Sequence, residues 1–420
     1  MNKIVFCFPY RGVGGVSVLF VRIAEYISSA GLAKCYLVDY DNGYMAQIRD
    51  PELTELLVYP ESGKVSIPDN ASIVFQSITP WSMFPNLDIG KGTKLLFWNC
   101  HPLNLIPSIP GLRHLTAGTS WSSKFILYTL LILFTVRVRK FLLFLIKNNA
   151  IVFMDGNNLR VSSECLGVKV KDPKFLSIPV NQASTKLWNQ GSLESPKRID
   201  FLWVGRIVDF KYYPLKRFLK DISEILAVDS VSVTLTVVGT GEYYSRFVMD
   251  ADQQDMVQVR FIDHVDTHDL DRFIIDNASI MLAMGTSALE GAKLGVPTLL
   301  LDFSYSEIVG QYGYRWVHQT KDYNLGELLN RNNQYASKGT SLSEKISEFE
   351  SSADLISSRE HDYFLNHHNL PVVAKQLVDC IHKSTCVYQD LNDRHMMGKS
   401  FVYNIYYKLR RFFDKIKLKW

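Results

Sequence analysis

Short apolar runs alternate with amphipathic segments along most of the chain, a pattern typical of doubly wound α/β folds. Strands in the first half are predicted at residues 4–8, 35–38, 72–75, 94–98 and 150–154. A helix with apolar residues at helical spacing is predicted at 17–29. Helical or loop segments separate the strands, so crossover connections and a parallel sheet are expected.

The alternation begins again after a polar segment rich in proline and glycine, residues 167–196, which we interpret as an interdomain linker. Predicted strands beyond it are 201–204, 231–238, 257–262, 280–284 and 296–301, with helices at 214–226, 269–276, 288–294 and 371–382. A length of 420 residues allows two to three domains. We predict domains at 1–175 and 176–385, followed by a tail at 386–420.

Residues 285–302, GTSALEGAKLGVPTLLLD, join a turn, a helix and a buried strand. Gly295 is placed to end the helix in a left-handed conformation. Backbone freedom and a serine or threonine helix cap are expected from Gly285, Thr286 and Ser287. A helix N-terminus with Glu290 in its first turns suits a phosphate and a hydroxyl-bearing sugar. An ordinary α/β connection is the alternative.

Two further glycine-containing turns follow predicted strands in the second half. Arg206 and Lys211 come soon after strand 201–204, beside Gly205, and Gly239 follows strand 231–238. Arginine offers a planar fork to phosphate oxygens and lysine a point charge. A diphosphate site is one interpretation, and two solvated surface cations are the other.

The first predicted strand leads into a turn, PYRGVGGV, that contains Gly14 and Gly15. The spacing does not fit GxGxxG, although paired glycines allow a backbone to approach a phosphate or sugar closely. His101 follows the predicted strand 94–98. Open α/β sheets place ligand contacts at such strand ends. A partly buried loop histidine remains the alternative.

Composition excludes several other classes of protein. Hydrophobic residues make up 47% and charged residues 21%, which indicates a globular chain, and a net charge of +4 implies no general attraction to nucleic acid. The six cysteines form no CxxC pair, so no zinc site is predicted, and buried thiols fit a reducing cytoplasm. No signal peptide is expected, since the first apolar run is short and stops at Pro9.

Two segments combine apolar and basic residues. Residues 125–147 are nearly long enough to span a bilayer, but Arg137, Arg139 and Lys140 in the middle would cost roughly 2.5–3.5 kcal/mol each. An interfacial helix and a core helix beside a basic patch both remain open. Residues 400–420 interleave lysine and arginine with aromatics, which favours a membrane surface over nucleic acid. Docking to a partner or plain packing is the alternative for the tail.

Taken in order, these motifs resemble those of GT-B glycosyltransferases similar to family 4, over roughly residues 1 to 390. The glycine turn after the first strand and VGTGE at 238–242 resemble two of the family's turns. VGR at 204–206 with Lys211 resembles its "GR…K" motif, and LEGA…GVP at 289–297 resembles "LEAxAxGxPV". SIPVN at 177–181 resembles the strand that opens the family's linker.

The resemblance implies two Rossmann-like domains with parallel sheets facing a deep cleft, an acceptor-side N-terminal domain and a donor-binding C-terminal domain. Arg206 and Lys211 would bind the donor diphosphate and stabilise the leaving group, and Glu290 would hold the ribose hydroxyls. His101 would contact the donor sugar. The glycine turn at Gly14 and Gly15 would lie near the phosphates or the acceptor. Such enzymes are generally retaining and use no metal or other cofactor.

One position departs from the family pattern. Leu282 stands eight residues before Glu290, where the family usually has a second glutamate for the sugar ring. Backbone amides at 285–287 would have to replace that contact. The donor, a UDP-, GDP- or dTDP-sugar, is left open.

The sequence therefore predicts a cytoplasmic glycosyltransferase at the inner face of the plasma membrane. Its partners would be a nucleotide sugar, a lipid-linked or polysaccharide acceptor of cell-surface glycan synthesis and an anionic membrane, with no nucleic acid. A nucleotide-sugar 2-epimerase and a catalytically degenerate GT-B scaffold are the alternatives.

Overall fold

The computed structural model describes residues 2–80, 86–108, 120–183, 187–188, 198–226, 232–254, 256–329, 339–394 and 396. The chain divides into two compact units. The first comprises Met1–Pro179 together with the chain from Leu370 onward, and the second comprises Val180–Asn369. Both are α/β units, as the alternating pattern predicted.

A six-stranded parallel sheet forms the centre of the first unit, in the order β3-β2-β1-β5-β7-β8. Its strands are β1 (Lys3–Cys7), β2 (Lys34–Asp39), β3 (Thr54–Val58), β5 (Ala71–Gln76), β7 (Lys94–Asn99) and β8 (Ile151–Phe153). The short strands β4 (Val65–Ser66) and β6 (Leu87–Asp88) form a separate pair. The helices are α1 (Gly15–Ser29), α2 (Tyr44–Ile48), α3 (Trp121–Tyr128), α4 (Ile132–Lys147) and α5 (Gly156–Leu166). Two more, α11 (Leu370–Lys383) and α12 (Tyr388–Asp393), follow the second unit in sequence.

Apolar residues cover both faces of this sheet, which explains why its strands are apolar throughout instead of alternating. In β1, Ile4 and Phe6 pack with α1 on one face, while Val5 and Cys7 pack in the core on the other, which includes α4 and α5. Such two-sided burial is what a doubly wound sheet requires, since successive side chains point to opposite faces.

The second unit has a similar sheet in the order β11-β10-β9-β12-β13-β14, parallel except for its last strand. Its strands are β9 (Arg198–Val204), β10 (Ser232–Val238), β11 (Gln258–Ile262), β12 (Ile280–Ala283), β13 (Thr298–Leu300) and β14 (Arg315–Trp316). The helices are α6 (Asp209–Leu226), α7 (Tyr244–Ala251), α8 (Leu270–Asn277), α9 (Thr286–Leu294) and α10 (Leu342–His367), with a 3-10 turn at Val317–Gln319. A capping box between Ser341 and Glu344 begins α10.

Helix α11 lies in the first unit, although the sequence-based boundary placed it at the end of the second. Its apolar face contributes Val373, Ala374 and Leu377 to the same core as Phe20 of α1. The amphipathic pattern of this segment predicted a packed helix, but periodicity does not identify which sheet the helix covers. The chain crosses between the units at residues 179–180 and again at 369–370.

Residues 125–147 form parts of two helices, α3 and α4, instead of one continuous helix. None of the helices within the described ranges is long and apolar enough to cross a bilayer. One side of α4 is buried, through Val138, Phe141, Leu142 and Leu145, as expected for a core helix. The tail at 400–420, whose interpretation as a membrane anchor stays a prediction, lies outside the described residues.

Candidate functional site

The carboxyl ends of β9 and β12 lie side by side in the second sheet. Strand order reverses here, because β10 and β11 continue on one side of β9 while β13 continues on the far side of β12. Trp203 of β9 is in register with Leu282 of β12, so the residues three positions later, Arg206 and Gly285, leave the sheet at the same level. Ligands of open α/β sheets bind at such a reversal, outside the strand ends.

Closely packed backbones hold the turn after β9 in place. Gly239 has φ +125°, and a Cβ atom there would lie 2.6 Å from the carbonyl oxygen of Gly205. The amide of Ile207 donates to the carbonyl of Thr240 at 2.9 Å. Only glycine fits at position 239, because any side chain would combine an unfavourable backbone conformation with a steric clash. The predicted "GxG" turn therefore shapes the backbone beside Arg206.

Two cations, Arg206 and Lys211, lie at this strand end without a carboxylate partner among the described residues. Arg206 is exposed, whereas the ammonium of Lys211 lies 5.5 Å from the centre of the Trp203 ring. Burial, together with the positive charge of Arg206, lowers the pKa of Lys211. Two cations that repel each other in a partly desolvated turn form a favourable site for an anion.

Helix α9 begins directly after β12, at Gly285. This glycine has φ +63°, and its amide donates to the carbonyl of Leu325 at 2.7 Å. The prediction of a serine or threonine cap was wrong, because no side chain caps the helix. Ser287 Oγ donates to the carbonyl of Met284 at 2.9 Å, and Thr286 is exposed. Amides in the first turn therefore lack a side-chain acceptor, while Gly295 ends the helix at φ +73° as predicted.

Glu290 is held by a buried lysine on the next turn of the same helix. Lys293 Nζ lies 2.5 Å from Glu290 Oε2 and 2.7 Å from Asp271 Oδ1 on α8. Burial opposes the charge on Lys293, but the two carboxylates together raise its pKa above the ordinary value. The Glu290 side chain keeps 26% exposure, which leaves part of its carboxylate accessible to a ligand.

Sequence reasoning missed the roles of Lys293 and Asp271. A lysine three residues after Glu290 on a helix is a recognised ion-pair spacing, and that signal was available in the sequence. The contact with Asp271 was not, because it depends on how α8 packs beside α9.

Leu282 lies inside β12, fully buried. Only Met284 and Gly285 separate the end of β12 from the start of α9. Counting eight residues back from Glu290 therefore leads into the strand, not into a ligand-facing loop. The leucine is a core residue, and no sugar contact is available at its position.

The first unit has its own turn at the corresponding strand end. Gly14 begins α1 with φ −155°, an extended conformation, and a Cβ atom added to Gly15 would meet nothing within 4 Å. The nearby Arg11 is neutralised by an ion pair with Glu61 and lies 3.7 Å above the Tyr40 ring. This turn therefore lacks the unpaired cations of the second unit.

His101 follows β7 and is exposed, so the expectation of a partly buried loop histidine was wrong. Its Nδ1 accepts a hydrogen bond from the amide of Leu103 at 3.1 Å. The neutral ring accordingly carries its proton on Nε2, which makes that nitrogen a donor.

All six cysteines are free thiols, and Cys7, Cys35, Cys165 and Cys386 are buried. Within the described ranges, no group of three or more histidine, cysteine, aspartate or glutamate side chains could hold a metal ion.

No protein-family model matches the chain, and no curated protein matches its sequence. A glycosyltransferase from Rickettsia africae ESF-5 has a similar structure, with a TM-score of 0.51 and 12% identity over 91% of this chain and 98% of that chain. The apo lipopolysaccharide outer core galactosyltransferase WaaB gives 0.47 and 11% identity over 91% and 99%. Anabaena HepE in complex with UDP and glucose gives 0.46 and 9% over 91% and 100%. The chain has the two-unit Rossmann-like GT-B fold, as the motifs predicted.

Proposed function

We propose that this protein is a glycosyltransferase that moves a sugar from a nucleotide-sugar donor to a glycan or lipid-linked acceptor. The observation that carries the proposal is the pair of cations at the reversal of the second sheet. Arg206 and Lys211 have no carboxylate partner there among the described residues, and the uncapped start of α9 lies at the same sheet edge. A nucleoside diphosphate supplies the negative charge and the oxygen acceptors that these groups lack.

In this proposal, Arg206 and Lys211 bind the diphosphate and stabilise the negative charge that develops on the leaving nucleotide. Backbone amides at Gly285, Thr286 and Ser287 accept a share of that charge. Gly205 and Gly239 keep the turn narrow enough for phosphate oxygens to approach the backbone.

Glu290 accepts hydrogen bonds from the ribose hydroxyls. Lys293 restricts the carboxylate to one orientation before the donor arrives, which reduces the entropy lost on binding. A test is to compare binding of UDP with that of 2′-deoxy-UDP. The wild type should prefer UDP, whereas Glu290→Ala should bind both equally, and an unchanged preference would contradict the ribose assignment.

The first unit supplies the acceptor side of the reaction. His101 donates from Nε2 to a hydroxyl of the donor sugar, and Gly14 with Gly15 leaves room for the phosphates or the acceptor. The neutralising charge for the leaving group comes from side chains, so we propose a metal-independent and retaining transfer. The acceptor belongs to cell-surface glycan synthesis, such as O-antigen, capsule or exopolysaccharide, at the cytoplasmic face of the membrane.

The proposal is tested by measuring nucleotide release from UDP-, GDP- and dTDP-sugars in the presence of acceptor-containing membrane extracts. We expect release with one donor type, and its loss in Arg206→Ala and Lys211→Ala. Arg11→Ala is the matched control, because its guanidinium is already paired with Glu61. Absence of both donor binding and turnover would contradict the proposal. Release without acceptor would instead indicate an epimerase, and binding without turnover a non-catalytic scaffold.

A further inference from the structure

Helices α3 and α4 of the first unit carry an exposed apolar surface that the proposed transfer reaction does not use. Its members are large apolar side chains on α3, on the connecting turn and on the first half of α4. They are Trp121, Phe125, Tyr128, Leu130, Ile132, Leu133 and Val136. Three of them, Trp121, Leu130 and Leu133, are 81%, 73% and 72% exposed. We call this surface the α3–α4 face.

The opposite side of α4 already fills the core of the first unit. Val138, Phe141, Leu142 and Leu145 are fully buried there. Leu133 and Val136 lie on the outward side, so α4 is apolar on both sides over its first two turns. A helix whose outer side faced only water would carry polar residues at those positions. Contiguous exposed apolar side chains of this size mark an interaction surface.

The charges around the α3–α4 face all have one sign. Residues 121–147 contain five lysines and arginines and no aspartate or glutamate. Arg139 and Lys140 are exposed on α4 directly after the apolar positions, and Lys147 is exposed at its end. Lys124 has a long contact of 3.5 Å with Glu164, which lies on α5. The surface therefore combines apolar side chains with an uninterrupted positive charge.

We propose that the α3–α4 face docks on an anionic lipid bilayer, with α4 lying in the plane of the interface. Apolar side chains would enter the boundary between headgroups and acyl chains, while Arg139 and Lys140 would contact lipid phosphates. Trp121 is suited to this boundary, since its amphipathic ring stacks on Phe125 at a centroid distance of 5.6 Å.

The alternative occupants fit less well. A second copy related by two-fold symmetry would bring the cations of one chain against those of the other, with no carboxylate from 121–147 to offset them. The 16 residues of α4 extend only about 24 Å, so the helix lies on a bilayer without crossing it. The inference does not depend on donor binding, although a surface held at a membrane would meet a lipid-linked acceptor.

The experiment measures co-sedimentation of the full chain with vesicles of phosphatidylcholine alone and of phosphatidylcholine mixed with phosphatidylglycerol. Leu133→Glu places a charge among the apolar positions. Met249→Glu is the matched control, because Met249 is a 65% exposed apolar residue on α7 of the second unit. We expect the wild type and the control to bind mixed vesicles, and Leu133→Glu to lose at least tenfold in apparent affinity.

A second pair of variants tests the charges. Arg139→Gln with Lys140→Gln removes two cations from the face, and Lys64→Gln with Lys91→Gln removes two exposed cations elsewhere in the first unit. The first pair should weaken binding to anionic vesicles by about thirtyfold, since each basic residue near such a surface strengthens binding about fivefold. The control pair should change it little. Thermal unfolding of every variant confirms that the fold is retained.

Two results would overturn the proposal. Equal vesicle binding by the wild type and Leu133→Glu, whether strong or absent, would show that the α3–α4 face does not contact lipid, and strong equal binding would assign the contact to the tail at 400–420. A concentration-dependent dimer that Leu133→Glu dissociates would show that a second copy covers the face. Donor binding is measured separately, so failure here would leave the proposed transfer reaction untouched.

Discussion

The two Rossmann-like units use charged residues differently at their strand ends. In the first unit, Asp39 at the end of β2 accepts hydrogen bonds from the amides of Tyr10, Tyr40, Met45 and Ala46. This carboxylate is buried, and desolvation raises its pKa although the four amides act in the opposite direction. In the second unit, Lys211 is partly desolvated beside another cation, without a carboxylate partner among the described residues.

The comparison separates structural charge from charge kept for a ligand. Asp39 fixes the turn that leads to Gly14, so its interactions are already complete in the folded chain. Lys211 and Arg206 destabilise each other slightly until an anion arrives. Residues that bind ligands commonly have perturbed pKa values of this kind, whereas a satisfied carboxylate indicates a structural role. The second unit is therefore the anion-binding half of the molecule.

The largest expected effect is on the structural side of the comparison. Asp39→Ala removes the acceptor of four backbone amides, and we expect the free energy of unfolding to fall by at least about 3 kcal/mol. Urea denaturation measures this change. Nucleotide affinity of the fraction that remains folded should be unaffected, and a large loss of affinity would contradict the assignment of anion binding to the second unit.

Lys211→Ala should give the opposite result. Removing a desolvated and repelled ammonium should leave the unfolding free energy unchanged or slightly higher, because no partner loses a contact. Affinity for UDP, GDP or dTDP should fall by about 2 kcal/mol, roughly thirtyfold, as expected for one charge-assisted contact. Isothermal calorimetry measures it, with Arg11→Ala as control. An equal affinity in both variants would remove the distinction between the units.

The two glycine turns provide a third test, of intermediate size. Gly239→Ala should destabilise the chain by about 2 kcal/mol through backbone strain and the clash with Gly205. Gly15→Ala should leave stability within about 0.5 kcal/mol of the wild type, since its Cβ meets open space. Thermal unfolding compares them. If Gly15→Ala nevertheless lowers turnover, that glycine is needed for ligand approach alone.

The smallest effect is on pH dependence. The pKa of Lys211 is lowered, so its ammonium loses its proton at a lower pH than a free lysine, whose pKa is about 10.4. Nucleotide affinity should therefore decline as pH rises toward that value, and Lys211→Arg should bind without the decline because arginine stays charged. Calorimetry across the alkaline range distinguishes the two. A pH-independent wild type would show that Lys211 does not contact the anion.

Much of the architecture was predictable because apolar strands and glycine ends are local signals. The strands, the left-handed end of α9 at Gly295 and the position of Arg206 after β9 all follow from residues close together in sequence. The partners of Glu290 were not predictable in the same way. Lys293 would usually be assigned to solvent, and only the packing of α8 against α9 brings Asp271 to it.

Counting positions also misled where the chain is locally shortened. The family pattern assigned a contact to Leu282, but the two-residue connection between β12 and α9 places that residue within a strand. Likewise, the predicted cap at Thr286 or Ser287 failed because Gly285 bonds to Leu325, which is distant in sequence. Side-chain roles near a turn depend on its length and on remote partners, and neither is encoded in periodicity.

The second unit begins and ends at one place. The amide of Val180 donates to the carbonyl of His368 at 2.8 Å, and Val180 forms a parallel bridge with Asn369. In gene terms, the anion-binding half is a cassette inserted into an otherwise continuous first unit. Recombination at these two adjacent points could replace one donor-binding module with another while leaving the acceptor-side sheet and its closing helix α11 intact.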